Sequence, residues 1–138
     1  MPKSSVESTA RSYVIDLDTR KPIRVLHVDD DSSLLRIAKQ CLEAEAPIQV
    51  DTVTSVDEAL MKLRTEIYDV IVSDYLMPGK NGLTFLRELR QTRNSIPFIM
   101  FTGKGREEVA IKALNFGANQ YINKVGETET VYAELAHS

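Results

Sequence analysis

The sequence lacks most features of a secreted, membrane-bound or nucleic-acid-binding protein. Its one cysteine, Cys41, excludes an intrachain disulfide and a site built from several thiolates, and it fits a reducing compartment. No apolar run is long enough to cross a bilayer, and the polar start Met1–Thr9 does not resemble a signal peptide. A net charge of -3 provides no general attraction to nucleic acid or to an anionic membrane. We therefore expect a cytoplasmic protein.

The composition is that of one globular domain with a substantial core. The chain has 138 residues, of which 43% are hydrophobic and 27% are charged. Residues 1–20 are polar at first and look strand-like only briefly at Tyr13–Leu17, so we expect a flexible arm. Pro22 marks the edge of the domain, which we assign to residues 21–138.

Five short apolar runs predict five strands, and a helical pattern follows each of them. The run at 70–72 has branched apolar residues without polar alternation, which is typical of a strand buried on both faces of a parallel sheet. The strands are expected at Ile23–Val28, Gln49–Val53, 70–72, Pro97–Phe101 and Tyr121–Asn123.

The helices are expected at 34–45, 56–65, 83–92, 106–116 and 127–137. Ser32 or Ser33 can cap the first helix, and Thr54 or Ser55 the second. Gly117 suits the end of the fourth helix. Five strands alternating with five helices predict an α/β fold in which helices cover both faces of a parallel sheet.

Polar residues follow the predicted strands at the edge where all strands of a parallel sheet end. Asp29 and Asp30 follow the first strand, and Asp74 follows the third, just before the turn residues of 78–82. Thr102 and Lys124 end the fourth and fifth strands. Ligands bind at this edge in open α/β sheets, so we expect these side chains to converge there.

This set of residues has the chemistry that phosphoryl transfer requires. Carboxylates about 4 Å apart repel by roughly 4 kcal/mol at an effective dielectric constant of 20, so three acids at one edge need a cation. Oxygen ligands without His or Cys suit a hard ion such as Mg²⁺. Asp74 would be the nucleophile, Asp29 and Asp30 would hold the metal, and Thr102 and Lys124 would position a phosphoryl group. Taken singly, each residue could instead be a turn, cap or surface residue.

These motifs resemble the receiver domain of two-component signalling proteins. The resemblance runs from about Ile23 to the end of the chain. It rests on four segments in order, namely Val28–Asp31, Ser73–Gly82 with its Met77-Pro78 and Asn81-Gly82 pairs, Phe101–Gly103, and Tyr121–Lys124. It implies a flavodoxin-like (βα)5 fold with strand order 2-1-3-4-5.

The resemblance also implies a function. Asp74 would accept a phosphoryl group from a phosphohistidine of a sensor histidine kinase or histidine phosphotransfer domain. Mg²⁺ would be bound by Asp29, Asp30, Asp74 and the backbone carbonyl of Leu76. Thr102 and Lys124 would bind the phosphoryl oxygens.

Tyr121 would turn inward as an aromatic switch when Thr102 moves, which would bias the face formed by the fourth helix, fifth strand and fifth helix. That face would contact an output domain or protein, or a second copy in a homodimer. Such a phosphoacceptor assists its own phosphorylation and dephosphorylation rather than being an enzyme. The chain would be a stand-alone receiver or part of a longer protein such as a hybrid sensor histidine kinase.

One departure from the family pattern concerns the lysine loop. Val125 follows Lys124, where the family usually has a proline after a cis peptide. Because a cis bond before a non-proline residue costs about 3–4 kcal/mol, we predict a trans bond or a reshaped loop. We also expect Asp31 to face the solvent or the helix start rather than the metal.

Two other functions remain open at this point. A receiver-like module could bind proteins without being phosphorylated. The presence of Val125 in place of the usual proline keeps this alternative open. A Mg²⁺-dependent phosphoester hydrolase is a weaker one, because Asp74 is followed by Tyr75-Leu76 rather than by a second acid. A flavin-binding protein is disfavoured, since Asp29–Asp31 would repel the flavin phosphate.

Overall fold

The computed structural model describes residues 22–45, 47–103 and 107–123. Within these ranges the chain alternates between strands and helices. The elements are β1 (Ile23–Val28), α1 (Ser32–Glu45), β2 (Ile48–Val53), α2 (Val56–Thr65), β3 (Val70–Ser73), α3 (Gly82–Gln91), β4 (Phe98–Thr102), α4 (Glu107–Asn115) and β5 (Gln120–Asn123). The expected arm at 1–20, the start of the fourth helix at Arg106, and the helix at 127–137 lie outside the described residues.

The five strands form one parallel sheet in the order β2-β1-β3-β4-β5. This is the order of the flavodoxin-like fold, so the prediction of fold class and topology is confirmed. The chain reverses its direction of winding between β1 and β3, which pair with Val28 opposite Ser73. A crevice at such a switch point, beyond the carboxyl ends of the strands, is where ligands bind in these sheets.

Helices cover the sheet on both faces, and each face has its own hydrophobic cluster. One cluster joins α2, α3 and α4 to the sheet and includes Leu26, Phe85, Phe98 and Met100. The other joins α1 to the opposite face through Ala38 and Leu42, against the buried residues Val25, Val50, Val72, Ile99, Phe101 and Ile122. Burial on both faces explains why the central strands have no polar alternation.

Two helices, α1 and α3, start earlier than expected because of their caps. Asp31 rather than Ser32 or Ser33 caps α1, because its Oδ1 accepts the Leu34 amide at 3.1 Å. Asp31 is therefore exposed at the helix start, as expected. Helix α3 begins one residue early, at Gly82, where the Asn81 side chain accepts the Thr84 amide at 2.9 Å. The first acceptor in each case belongs to a turn residue, which helical periodicity does not detect.

Helix α2 has the cap that the sequence allows. The Ser55 hydroxyl accepts the Glu58 amide at 3.1 Å, and the Glu58 carboxylate accepts the Thr54 amide at 2.7 Å. The first bond satisfies an amide that the first helical turn leaves without an acceptor, and the second satisfies the amide just before the cap. Helix α4 ends at Asn115 rather than Phe116, and Gly117 lies two residues further on with a φ of 100°.

Among the described residues, no helix is long and apolar enough to span a membrane.

Candidate functional site

Two acidic residues sit directly beyond the ends of the two central strands. Asp29 follows β1, and its amide donates to the Val53 carbonyl at 3.2 Å. Asp74 follows β3, and its amide donates to the Val28 carbonyl at 2.9 Å. These bonds continue the sheet pattern past the last residue of each strand. They hold Asp29 and Asp74 side by side at the switch point.

Asp30 completes a cluster of three carboxylates. One oxygen from each of Asp29, Asp30 and Asp74 lies within 4.8 Å of the others. Asp29 is 1% exposed and Asp74 is 8% exposed, whereas Asp30 is exposed to solvent. The cluster is thus a recess with two buried acids at its base and one acid at its mouth.

Backbone amides orient the two buried carboxylates. The Asp31 amide donates to Asp29 Oδ1 at 2.9 Å, and the Tyr75 amide donates to Asp74 Oδ1 at 2.8 Å. Because Asp31 also caps α1, the start of that helix fixes the backbone that holds Asp29 in place. Charged acceptors bound by amides in this way keep a defined orientation without a bound ligand.

The loop after Asp74 returns to contact the backbone of Asp74. The Gly82 amide donates to the Tyr75 carbonyl at 2.8 Å, and the Ser73 hydroxyl donates to the Asp74 carbonyl at 2.9 Å. A Cβ atom placed on Gly82 would lie only 2.2 Å from the Asp74 carbonyl oxygen. Gly82 therefore serves close packing here, while Gly79, with φ of 80°, provides the turn.

The carboxylate recess fits a hard divalent cation. Oxygens on opposite sides of an octahedral Mg²⁺ lie about 4.2 Å apart, since each Mg–O distance is about 2.1 Å. The separation of up to 4.8 Å needs only a small closure or a water ligand to match this geometry. Carboxylate ligands without nitrogen or sulfur suit hard ions such as Mg²⁺, Ca²⁺ and Mn²⁺.

The remaining predicted site residues lie on β4, on β5, in the loop after Asp74, or outside the described ranges. Thr102 is the last residue of β4 and pairs with Asn123 of β5. Tyr121 is half-buried on the sheet face of α2, α3 and α4. Leu76 is 58% exposed in the loop after Asp74. Lys124 and Val125 lie outside the described residues.

Sequence reasoning did not single out Lys80, which joins two helices beside the site. Its Nζ atom lies 3.1 Å from Glu88 of α3 and 3.5 Å from Asp57 of α2. The hydrogen bond to Glu88 contributes most to raising the pKa of Lys80 above its ordinary value. No local pattern could have revealed this arrangement, because its acids belong to two helices separated by β3.

The fold and the acid cluster define a class of α/β proteins in which acidic residues, a group that could hold a metal ion, lie at the switch point of a flavodoxin-like sheet. The family model for the response regulator receiver domain matches residues 25–136. The chain belongs to this family of signalling domains.

Two curated relatives and one solved structure show the extent of the similarity. The chain is 32% identical over 114 residues to the phosphate regulon transcriptional regulatory protein PhoB of Rhizobium meliloti. The match covers 81% of this chain and 50% of that protein. It is 37% identical over 100 residues to the response regulator SaeR of Staphylococcus aureus, covering 72% of this chain and 43% of that protein. The chain spans about half the length of these relatives.

A crystal structure of a CheY-like response regulator receiver domain protein from Methanospirillum hungatei matches with a TM-score of 0.73 and 29% identity. The match covers 85% of this chain and 93% of that one.

Proposed function

We propose that the chain is a phosphoacceptor of a two-component phosphorelay and that Asp74 is the residue phosphorylated. The observation that supports this most is the carboxylate recess, in which Asp74 is buried beside Asp29 and Asp30. The phosphoryl donor is a phosphohistidine on a sensor histidine kinase or on a histidine phosphotransfer domain. The reaction takes place in the cytoplasm.

The transfer forms one bond and breaks one. A carboxylate oxygen of Asp74 attacks phosphorus, the P–N bond to the donor histidine breaks, and the imidazole keeps the electron pair and takes up a proton. Asp29, Asp30, Asp74 and the Leu76 carbonyl would hold Mg²⁺, which would neutralise charge on the phosphoryl oxygens when bound. Thr102, at the end of β4, and Lys124 bind the same oxygens.

The output of the phosphorylated state is a change at the face of α4 and β5. Thr102 moves towards the phosphoryl group, and Tyr121 turns inward behind it. The face that they bias also includes the predicted helix at 127–137. It contacts an output domain or protein, or a second copy in a homodimer.

The first prediction tests the acceptor residue. The parent chain treated with acetyl phosphate and Mg²⁺ should gain the mass of one phosphoryl group, and Asp74→Asn should gain none, because an amide oxygen is not a competent nucleophile here. Intact-protein mass spectrometry checks this. Asp57→Asn is the matched control, since Asp57 is an exposed acid outside the recess. Equal labelling of Asp74→Asn and the parent would refute the assignment.

A second function has one observation in its favour. Helix α4 exposes Ile111 at 62% and Leu114 at 51%, so it offers an apolar contact that does not require a phosphoryl group. As a phosphorylation-independent interaction module, the chain would bind its partner equally well as the parent and as Asp74→Asn, with or without Mg²⁺.

A further inference from the structure

Strand β2 lies at one edge of the sheet. In the part of the chain that the structure describes, it pairs with β1 on one side only. The Pro47 and Val53 carbonyls accept amides from β1 and its continuation. Alternate residues of a strand direct their backbone groups to opposite sides, so Ile48, Val50 and Thr52 direct theirs outward. Such an edge can pair with a further strand.

Two side chains of α1 bind the backbone at the centre of this edge. Lys39 Nζ donates to the Val50 carbonyl at 2.5 Å, and Glu43 Oε2 accepts the Val50 amide at 2.9 Å. Lys39 and Glu43 also pair with each other at 3.0 Å, one helical turn apart. Together they make the two hydrogen bonds that a residue on a neighbouring strand would make.

The contact with Val50 also affects the charge on Glu43. The Val50 amide contributes most to lowering the pKa of Glu43, and Lys39 adds to the effect. Lys39 and Glu43 side chains are 44% and 34% exposed, so they cover the strand edge from outside rather than filling the core. An ion pair of this exposure adds little stability by Coulomb attraction alone, which points to a different role.

We propose that the Lys39–Glu43 pair is a cover that prevents strand β2 from pairing with β2 of a second copy of this chain. The backbone geometry makes a second copy the natural occupant. A twofold axis at Val50 would pair Val50 with Val50 and Ile48 with Thr52 in an antiparallel ladder, so that every outward group finds a partner. The cover has no role in phosphotransfer, so this inference stands apart from the proposed function.

The test is the double variant Lys39→Ala/Glu43→Ala, with Glu108→Ala/Lys112→Ala as control. The control removes the same residue types at the same helical spacing from α4, and both pairs leave the net charge unchanged. Sedimentation over a range of concentrations measures association, and amide hydrogen exchange locates it. Circular dichroism verifies that each variant is folded. If the double variant unfolds, the single variant Lys39→Ala, in which Glu43 still binds the Val50 amide, is used in its place.

We expect the double variant to dimerise, with new protection at the Ile48 and Thr52 amides, while the parent and the control do not gain this protection. In Glu43→Ala under dilute conditions, the Val50 amide should exchange about five to ten times faster, as for one lost hydrogen bond. A double variant that stays folded and no more associated than the parent would overturn the proposal. Dimerisation through α4, detected as protection in α4 and none in β2, would also overturn it. Unchanged exchange of the Val50 amide in Glu43→Ala would do the same.

Discussion

Gly82 controls the position of Asp74 from the far end of the same loop. The space beside the Asp74 carbonyl is so small that any side chain at position 82 must displace either the α3 start or the Asp74 backbone. The sequence alone indicates a turn at Asn81-Gly82, because glycine is common in turns. The structure shows that the glycine is required by a backbone contact instead.

The second prediction follows from this contact. Gly82→Ala should lower the free energy of unfolding by about 1–3 kcal/mol, as overpacking does, and should slow phosphorylation of Asp74 by acetyl phosphate. Denaturant unfolding and the rate of mass gain measure the two effects. Gly79→Ala is the control, since it adds strain at positive φ without a close atom and should spare the phosphorylation rate. Phosphorylation of Gly82→Ala at the parent rate would contradict the role of the contact.

The third prediction concerns Leu76, an exposed apolar side chain two residues beyond Asp74. We expect it, together with Lys104, which lies outside the described residues, to hinder the approach of water to the carboxylate once it is phosphorylated. Leu76→Ala and Lys104→Ala should therefore shorten the lifetime of the phosphorylated state. The decay of the labelled mass after removal of acetyl phosphate measures that lifetime. Identical decay in the parent and both variants would rule out shielding by these side chains.

At the scale of elements, the helix caps carry information that hydrophobic periodicity lacks. Periodicity places the middle of every described helix correctly, because each buries an apolar face against the sheet. The first residue depends instead on which side chain accepts the first amides. For α2 the sequence offered Thr54 or Ser55, and Ser55 is the cap, whereas for α1 it offered Ser32 or Ser33 and the cap is Asp31.

The fourth prediction tests the cap of α2. Ser55→Ala should lower the free energy of unfolding by about 1 kcal/mol and leave phosphorylation unchanged, because α2 lies outside the carboxylate recess. Chemical denaturation and the acetyl phosphate assay measure both. A loss of phosphorylation at full stability would show that α2 acts on the site.

Glu58 adds a pH dependence to the same cap. Amide and hydroxyl donation from Thr54 lowers the pKa of Glu58 below its ordinary 4.5 in the folded state. Its contribution to stability is therefore present above about pH 4.5 and is lost as pH falls through the lowered value. The stability difference between the parent and Glu58→Ala should be larger at pH 7 than at pH 3. An equal difference at both pH values would exclude a contribution from the ionised carboxylate.

At the scale of the whole molecule, the sheet brings acids from distant parts of the chain into one recess. The mutual repulsion of Asp29, Asp30 and Asp74 opposes folding, and a cation bound between them would relieve it. If the site holds Mg²⁺ as proposed, metal binding and stability are linked, because a ligand that binds only the folded state stabilises it.

The fifth prediction uses this linkage. Mg²⁺ at 100 times its Kd should raise the free energy of unfolding of the parent by about 2.7 kcal/mol. Asp30→Asn should be more stable than the parent without metal, by about 1 kcal/mol, and should gain much less from Mg²⁺. Thermal melting with and without Mg²⁺ measures both, with Asp57→Asn as the control. An undiminished Mg²⁺ effect in Asp30→Asn would remove Asp30 from the ligand set.

The sequence alone determined the alternation of strands and helices and the acidic and hydroxyl residues that follow the strands. Both depend on local order along the chain, since apolar spacing sets the element and the next polar residue marks its end. Only the tertiary structure decided the separation of the three carboxylates, the approach of Gly82 to Asp74, and the contact of Lys39 and Glu43 with Val50. These are contacts between separate elements, and their distances depend on how the helices pack against the sheet, which no pattern within one element records.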